Sequence, residues 1–362
     1  MRIGIDVSSA ARSPRTGIGR YIAELVAALA RLESGCRFDL LYRLSRWKRR
    51  RYFLRPPDPS FRTRCLLERL HGGYPRRLAV FHGPDARLPG YRNLPLVATV
   101  HDLFSADSAG FAGAGFRAKK VSRYADVARR AAAVIAVSEH TRRRFLLHTG
   151  ADPDKVRVIP HGVERRFAAA TAAQCEQALR RHGIERPYAL YVGQLSRRKN
   201  LVTALEAVAR LPAELTLVLA GPPADGADAI ADAHRRLGLG RRVRVLGAVA
   251  DADLPPLYAG AAVHLLLSLD EGFGMPVLEA FVAGVPVVAS DRGAIPEVAA
   301  DAALLVDPTD VPAVTHAVER VVSEPGLADE LRRRGRARAA EYTWERAARQ
   351  TLALYREVAG VA

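Results

Sequence analysis

Apolar residues fall along this chain in short continuous runs, separated by longer stretches where they recur every three or four positions. Runs bounded by glycine, proline and polar residues predict buried strands, and the spaced stretches predict amphipathic helices. In the first half the runs are RIGIDV (2–7), FDLLY (38–42), LAVFHG (78–83), LVATVHD (96–102), AAVIAVS (132–138) and VRVIPHG (156–162). The series restarts with YALYVGQL (188–195), LTLVLAG (215–221), VRVLGAV (243–249), AVHLLLS (262–268), VPVVAS (285–290) and ALLVD (303–307). After the first run, GIGRYIAELVAALARL places Ile22, Leu25, Val26 and Leu29 on one helical face. Continuous apolar strands alternating with helices predict parallel sheets covered on both faces. Two such series predict two doubly wound α/β units, joined near residues 164–186 by a polar, alanine-rich stretch. A chain of 362 residues is also longer than one core comfortably serves. No fixed-period repeat is present, which argues against a solenoid.

Composition adds exclusions. With 49% hydrophobic and 26% charged residues the chain reads as ordered and globular. No apolar run approaches the roughly 18 residues that span a bilayer. MRIGIDVSSA leads directly into a strand without an apolar export segment, and Cys36, Cys65 and Cys175 are scattered and odd in number. Neither a disulfide framework nor a zinc cluster is suggested, and the expected compartment is the reducing cytoplasm.

Charge changes the picture more. Residues 1–166 carry 33 Lys and Arg against 14 Asp and Glu, whereas residues 167–362 carry 22 against 24. All the excess positive charge of a +17 chain therefore lies in the first half. Such asymmetry suggests an anionic partner for one unit: a phospholipid surface, a phosphate-bearing substrate or nucleic acid. An arginine-rich coding habit is the plainer explanation, but it leaves the balanced second half unexplained.

In doubly wound units a ligand binds beyond the carboxyl ends of the strands. HD, GQLSRRK, AGPP and LDEGFG all fall there. The turn EGFGMPVLEA, residues 271–280, draws attention because it sets Glu271 and Glu279 on either side of a glycine-rich bend. Gly272 and Gly274 permit close approach, and Pro276 suits a helix start. The unpaired N–H groups of that helix start suit a phosphate, and each carboxylate can accept from a vicinal diol. The set reads as clamps on a molecule with hydroxyls at each end and phosphate between, which describes a nucleotide sugar. Taken alone, the pair also fits a plainer arrangement, with Glu279 complementing the helix dipole and Glu271 in solvent.

Further motifs favour the first reading. EGFGMPVLEA resembles the Glu-x7-Glu signature of glycosyltransferase family 4, retaining enzymes of the GT-B fold. RTGIGRY (15–21), VATVHDL (97–103), AVSEHTRR (136–143), VRVIPHGV (156–163), YVGQLSRRKN (191–200), GVPVVASDRGAIPEV (284–298) and AALLVDP (302–308) resemble the family in order and spacing. The likeness is to a bacterial mannosyltransferase-like branch that builds cell-surface polysaccharides. It implies two Rossmann-like domains facing a central cleft, with the C-terminal helix crossing back to the first. The expected boundaries are 1–166 with about 345–362 for an acceptor domain, and 167–344 for a nucleotide-sugar donor domain.

The resemblance also implies roles. Arg198 and Lys199 match the basic pair that neutralises a diphosphate leaving group, so that no metal is required for the chemistry. No Asp-x-Asp at a strand end of the first half argues for a metal. Glu271 matches the glutamate near the donor sugar and the reacting carbon, and Glu279 the one that binds the ribose. Backbone N–H groups around Gly272, Phe273, Gly274 and Met275 are expected on the sugar hydroxyls. His101, followed by Asp102, matches the histidine that faces the donor sugar. Gly17 and Gly19 match the loop that approaches the phosphate, although both also suit a helix start. Arg15 and Arg20 are expected to serve phosphate or acceptor. Gln194 stands where many members have arginine, and His161 replaces the usual asparagine of a PNG-type turn. Glu271→Ala is expected to abolish transfer and leave folding intact. The favoured donor is GDP-mannose, with UDP- and dTDP-sugars open, and the acceptor is a lipid-linked or other saccharide.

Residues 41–55, LYRLSRWKRRRYFLR, cluster seven cations with aromatics. Trp47, Arg49, Arg50 and Arg51 there are expected on an anionic membrane surface or on the acceptor, giving a peripheral position on the inner face of the membrane. A solvated helix face is the simpler alternative. Three rivals remain: a nucleic-acid-binding protein, another GT-B chemistry such as an epimerase or phosphorylase, and a non-catalytic scaffold. The first lacks an RNP-like strand, a zinc pattern and a basic zipper, so no nucleic acid is expected.

Overall fold

The continuous apolar runs form strands that all pair in parallel. The computed structural model describes residues 1–66, 77–91, 93–107 and 113–361. Its first sheet contains β1 (Arg2–Asp6), β2 (Arg37–Arg43), β3 (Phe61–Leu66), β4 (Val80–Gly83), β5 (Leu96–Val100), β6 (Ala133–Ala136) and β7 (Val156–Val158), in the order β3-β2-β1-β4-β5-β6-β7. The second contains β8 (Tyr188–Val192), β9 (Thr216–Ala220), β10 (Val243–Gly247), β11 (Val263–Leu266), β12 (Val287–Ser290) and β13 (Leu304–Val306), in the order β10-β9-β8-β11-β12-β13. Strand order reverses beside β1 in the first sheet and beside β8 in the second. Crevices for ligands open at such switch points.

One strand escaped the pattern. β3, FRTRCL, lies at the sheet edge, with Arg62 and Thr63 exposed and Arg64 half-exposed, so it has no continuous apolar run. Outward cations on an edge strand discourage further pairing. They also find a partner: Asp39 on β2 is buried and bonded to Arg2 Nε at 2.8 Å and Arg64 Nε at 3.3 Å. A cation on each neighbouring strand thus neutralises the one acid between them.

The segment after β2 departs from an amphipathic helix. Leu44–Tyr52 is a 3-10 stretch interrupted at Arg49, with none of its residues buried. Its C-terminal aromatics do not all face outward. Phe53 stacks on buried Tyr42 at 3.5 Å, Trp47 meets Phe53 edge-on, and Leu54 is buried.

Two compact units follow from the packing. Residues Met1–Gly162 join the segment from Thr343 onwards, and Val163–Tyr342 form the other. The dividing positions fall a few residues before the expected ones. The last helix, Trp344–Ala359, packs on the helix Gly17–Arg31 of the first unit. A buried polar chain fixes it there. Tyr355 Oη lies 2.6 Å from His82 Nδ1, His82 Nε2 lies 2.8 Å from Thr99 Oγ1, and Thr99 Oγ1 lies 3.1 Å from Tyr21 Oη. Burial, with a smaller contribution from His101, pushes the His82 pKa down to about 3. The ring is therefore neutral, offers one donor and one acceptor, and has a partner for each. Gly162 seals the same corner: a Cβ there would sit 2.1 Å from Trp344 N and 2.5 Å from Thr343 C.

Candidate active site

In the second unit the loops leaving neighbouring strands β8 and β11 emerge side by side. The β8 loop ends in a short 3-10 turn, Arg197–Lys199, closed by Asn200 in the left-handed region. The β11 loop reaches Gly274 at φ +96°, a conformation that glycine adopts without strain, and then starts the helix Met275–Ala283. Leu269 N donates to Arg198 O at 2.9 Å, stitching the two loops together.

This stitch delivers the basic pair onto Glu271. Arg198 Nη1 lies 2.9 Å from Glu271 Oε2 and donates to Asp270 O at 2.5 Å. Lys199 Nζ pairs with Glu271 Oε1, which also accepts from Ser268 Oγ at 2.8 Å. Lys199 and Glu271 are buried and Arg198 is half-buried. The sequence places the cations on a diphosphate and the glutamate on a sugar; the structure joins all three in one cluster. Two cations share one carboxylate, and guanidinium and ammonium groups are the donor types that suit a phosphate.

Burial alone would raise the Glu271 pKa, but Arg198 and Lys199 overcome it and hold the group down at about 2. Because the folded pKa is depressed, the stabilisation is fully present above the ordinary value near 4.5. It is lost as the pH falls toward 2. At neutral pH Glu271 is a fixed anion with no proton to give.

Behind Glu271 runs the segment after β12. Ala294 N donates to Glu271 O at 2.9 Å, and a Cβ on Gly293 would lie 2.6 Å from Glu271 N. The motif GAIPEV was visible in the sequence, but its service to Glu271 was not.

Glu279 is buried one turn into its helix, and its Oε2 accepts from Tyr258 Oη at 2.8 Å. It is not a surface group complementing a dipole, and Glu271 is not in solvent, so the plainer arrangement fails for both. Tyr258 escaped the sequence reading. Its signal was a phenol in the otherwise apolar LPPLYA, the helix Leu254–Ala259, where a buried hydroxyl needs a partner. Phe273 is buried and edge-on to Tyr342, while Met275 is half-buried at the helix start. Gly272 is buried beside Glu271.

The first unit places His101 at the exit of β5. Its Nε2 lies 2.8 Å from Pro84 O, a group that only accepts, so Nε2 carries the proton. Burial lowers the His101 pKa, and Nδ1 of the neutral ring is an acceptor. The ring stacks on His161 at 5.4 Å, and Tyr21 lies edge-on to both. Of the two glycines, Gly19 is explained locally. Its N–H donates to Thr16 Oγ1 at 3.3 Å, and a Cβ would sit 2.8 Å from Ser9 O. That amide is a helix-cap donor, which weakens its assignment to a phosphate. Gly17 is exposed with open space around it. Arg15 is exposed and Arg20 half-buried at the same helix start. Trp47, Arg49, Arg50 and Arg51 belong to the 3-10 stretch after β2. Among the described residues, no group of three or more His, Cys, Asp or Glu is arranged to hold a metal ion.

Comparison with known proteins decides the family. The model described as Glycosyltransferase Family 4 matches residues 15–167, and that described as Glycosyl transferases group 1 matches residues 176–338. The O-antigen chain mannosyltransferase B of Escherichia coli is 30% identical over 379 residues, covering 95% of this chain and 96% of that one. The chain belongs to glycosyltransferase family 4. It is a mannosyltransferase-like glycosyltransferase.

A second relative is the MMP alpha-(1->4)-mannosyltransferase of Mycolicibacterium hassiacum, 31% identical over 279 residues, 72% of this chain and 65% of that protein. Solved structures establish the GT-B fold. A sucrose-phosphate synthase from Thermosynechococcus elongatus superposes with a TM-score of 0.77 at 24% identity, over 99% of this chain and 98% of that one. HepE of Anabaena, solved with UDP and glucose, gives 0.77 at 17% identity over 98% and 99%. Glu271 and Glu279, at the two ends of the motif EGFGMPVLE, are each held by side chains of other elements, Arg198 and Lys199 for the first and Tyr258 for the second. No described helix is long and apolar enough to cross a membrane.

Proposed function

We propose that this family 4 glycosyltransferase moves a hexose, mannose favoured, from a nucleotide sugar to a lipid-linked or saccharide acceptor in cell-surface polysaccharide synthesis, with retention at the anomeric carbon. The observation that carries the reading is the cluster of Arg198, Lys199 and Glu271 at the switch point of the second sheet. Relatives named as mannosyltransferases support the sugar.

In the proposed reaction the bond from the anomeric carbon to the diphosphate oxygen breaks as the acceptor oxygen bonds to the same face. The acceptor proton passes to the departing phosphate oxygen. Arg198 and Lys199 stabilise the charge that develops on the diphosphate, without a metal in that role. Glu271 keeps both cations in place and presents negative charge toward the sugar, since it stays ionised. Glu279, oriented by Tyr258, accepts from the ribose hydroxyls. Neutral His101 supplies an acceptor nitrogen suited to a sugar hydroxyl, and the helix-start N–H groups near Phe273 and Met275 are donors suited to such hydroxyls. Positioning, not covalent catalysis, supplies the rate.

The test is transfer from GDP-, UDP- and dTDP-sugars to a polyprenyl-diphosphate saccharide, in EDTA, with the product linkage read by NMR. Retained configuration with one donor is expected. Inverted product, or dependence on added metal, contradicts the mechanism.

The basic stretch supports a peripheral position at the cytoplasmic face. Leu44 is 70% and Trp47 38% exposed among Arg46, Lys48, Arg49, Arg50 and Arg51, with no acid between them. Phe53 and Leu54 are turned inward, so the contact is cationic with two apolar anchors. Replacing Arg49, Arg50 and Arg51 together by Gln is expected to release the protein from phosphatidylglycerol vesicles in a sedimentation assay. Undiminished binding would remove the segment from the account.

A further inference from the structure

Arg198, Lys199 and Ser268 hold the side chain of Glu271, but the rest of the glycine-rich turn leans on other elements. Phe273 is buried, with its ring 5.8 Å from that of Tyr342 and at 71° to it. The main chain of Glu271 rests on the segment after β12, where Ala294 N donates to Glu271 O at 2.9 Å. That segment runs directly into the short helix Ile295–Ala299. One guanidinium reaches both supports.

Arg338 lies near the end of the helix Pro325–Ala340. Its Nε donates to Val298 O at 3.0 Å and its Nη2 to Glu297 O at 2.7 Å, two carbonyls at the end of Ile295–Ala299. Carbonyls in a last helical turn have no partner within their own helix, and a cationic donor suits them. Nη2 also donates to Tyr342 Oη at 2.8 Å, and the guanidinium carbon lies 5.0 Å from the centroid of that ring. Nη1 donates to Glu341 Oε2 at 2.5 Å. Arg338 is half-buried, and these contacts fix the plane of its fork. A lysine offers a single point of charge and cannot span two carbonyls and a phenol in this way.

The backbone around Arg338 is equally constrained. Gly335, one turn earlier on the same face, lets its helix press on the one that carries Glu279: a Cβ there would sit 2.7 Å from Phe281 Cδ1. Tyr342 N donates to Ala339 O at 3.1 Å, and Tyr342 O accepts from Val163 N at 3.0 Å. The ring against Phe273 is thus held through its main chain at one end and through its hydroxyl at the other. All of these residues belong to the second unit.

We propose that Arg338 is a positioning residue for transfer: by joining the Glu297 and Val298 carbonyls to the Tyr342 hydroxyl, it sets the path of the turn 271–275. It thereby places the N–H groups that receive the donor sugar. This rests on the proposed function, in which those groups meet the sugar while Arg198 and Lys199 hold the diphosphate. Arg338 acts on the turn and not on the two cations, so its loss displaces the sugar and spares the nucleotide.

The experiment compares wild type with Arg338→Gln and Arg338→Lys. Arg333→Gln is the control, an arginine of the same helix whose side chain is 71% exposed. Transfer from GDP-, UDP- and dTDP-sugars to a polyprenyl-diphosphate saccharide gives kcat and the donor KM. Thermal shift with GDP, UDP and dTDP gives nucleotide binding, and amide hydrogen exchange reads the turn itself. Misplacing a reacting group by about 1 Å costs up to about 10²-fold, so a kcat at least about tenfold lower is expected in both Arg338 variants. Their nucleotide binding stays that of wild type, and exchange quickens at 271–275 and 294–299 alone. Arg333→Gln behaves as wild type in all three assays. If Arg338→Gln does not fold, Tyr342→Phe tests the same link from its other end, keeping the ring and removing the hydroxyl, with the same pattern expected at smaller size. A wild-type kcat in these variants, with nucleotide still bound, overturns the proposal and leaves the donor reading standing. Equal losses of kcat and nucleotide binding, with exchange raised throughout the second unit, make the arginine purely structural and also overturn it. No nucleotide-induced rise in the melting temperature of wild type is the failure of the donor reading itself, and removes the proposal with it.

Discussion

Glu271→Gln is expected to lower transfer by about 10²–10³-fold and, unlike an ordinary active-site change, to destabilise the second unit as well. The side chain keeps its shape and its bond from Ser268, but Arg198 and Lys199 lose the carboxylate that holds them together. Removing one partner of a buried ion pair costs about 3 kcal/mol, since the remaining charges stay desolvated. Glu271→Ala adds a cavity to that loss. The expectation from the sequence alone, of lost activity with folding intact, is therefore revised: the group proposed to serve the reaction is also the counter-ion of Arg198 and Lys199. Glu279→Gln is the informative contrast. Its contact with Tyr258 is a hydrogen bond that an amide oxygen still accepts, so stability changes little while donor binding weakens. Melting curves and kcat/KM for the two variants check both halves. A Glu271→Gln protein that melts with wild type would contradict the ion cluster.

Gly162→Ala is expected to destabilise the first unit by about 3 kcal/mol or more. The added carbon would lie 2.1 Å from a backbone nitrogen and 2.5 Å from a backbone carbon. No side-chain rotation relieves such a clash, so the returning segment at Thr343 and Trp344 has to move. The buried chain from Tyr355 through His82 and Thr99 to Tyr21 then loses the geometry that satisfies it. Gly17→Ala is the control, because nothing lies within 4 Å of its added carbon. Thermal unfolding should show a drop of several degrees for the first and none for the second. Equal melting of Gly162→Ala and wild type would contradict the close packing.

Most of the fold was legible because parallel strands buried on both faces must be apolar throughout. β3 was not, since its edge position lets Arg62 and Arg64 point outward, and its pairing depends on Asp39, far away in sequence. The two glutamates and the basic pair were legible one by one as residue types at strand ends. Their union was not, because Arg198 and Lys199 meet Glu271 across about seventy residues, a distance set only by the adjacency of β8 and β11. The contacts of Tyr258 and Gly293 were invisible for the same reason: each touches a glutamate from another element. The docking of the last helix is likewise fixed by partners 273 residues apart, His82 and Tyr355.

The central claim is that the second unit holds a nucleotide diphosphate sugar through Arg198 and Lys199. Its most direct test is a thermal-shift titration of wild type and Arg198→Gln with GDP, UDP and dTDP and their sugars, in EDTA. A ligand that binds the folded state raises the melting temperature by mass action. A rise with one nucleotide in wild type, greatly reduced in Arg198→Gln, is the predicted result. No rise with any nucleotide, or an equal rise in both proteins, would contradict the claim.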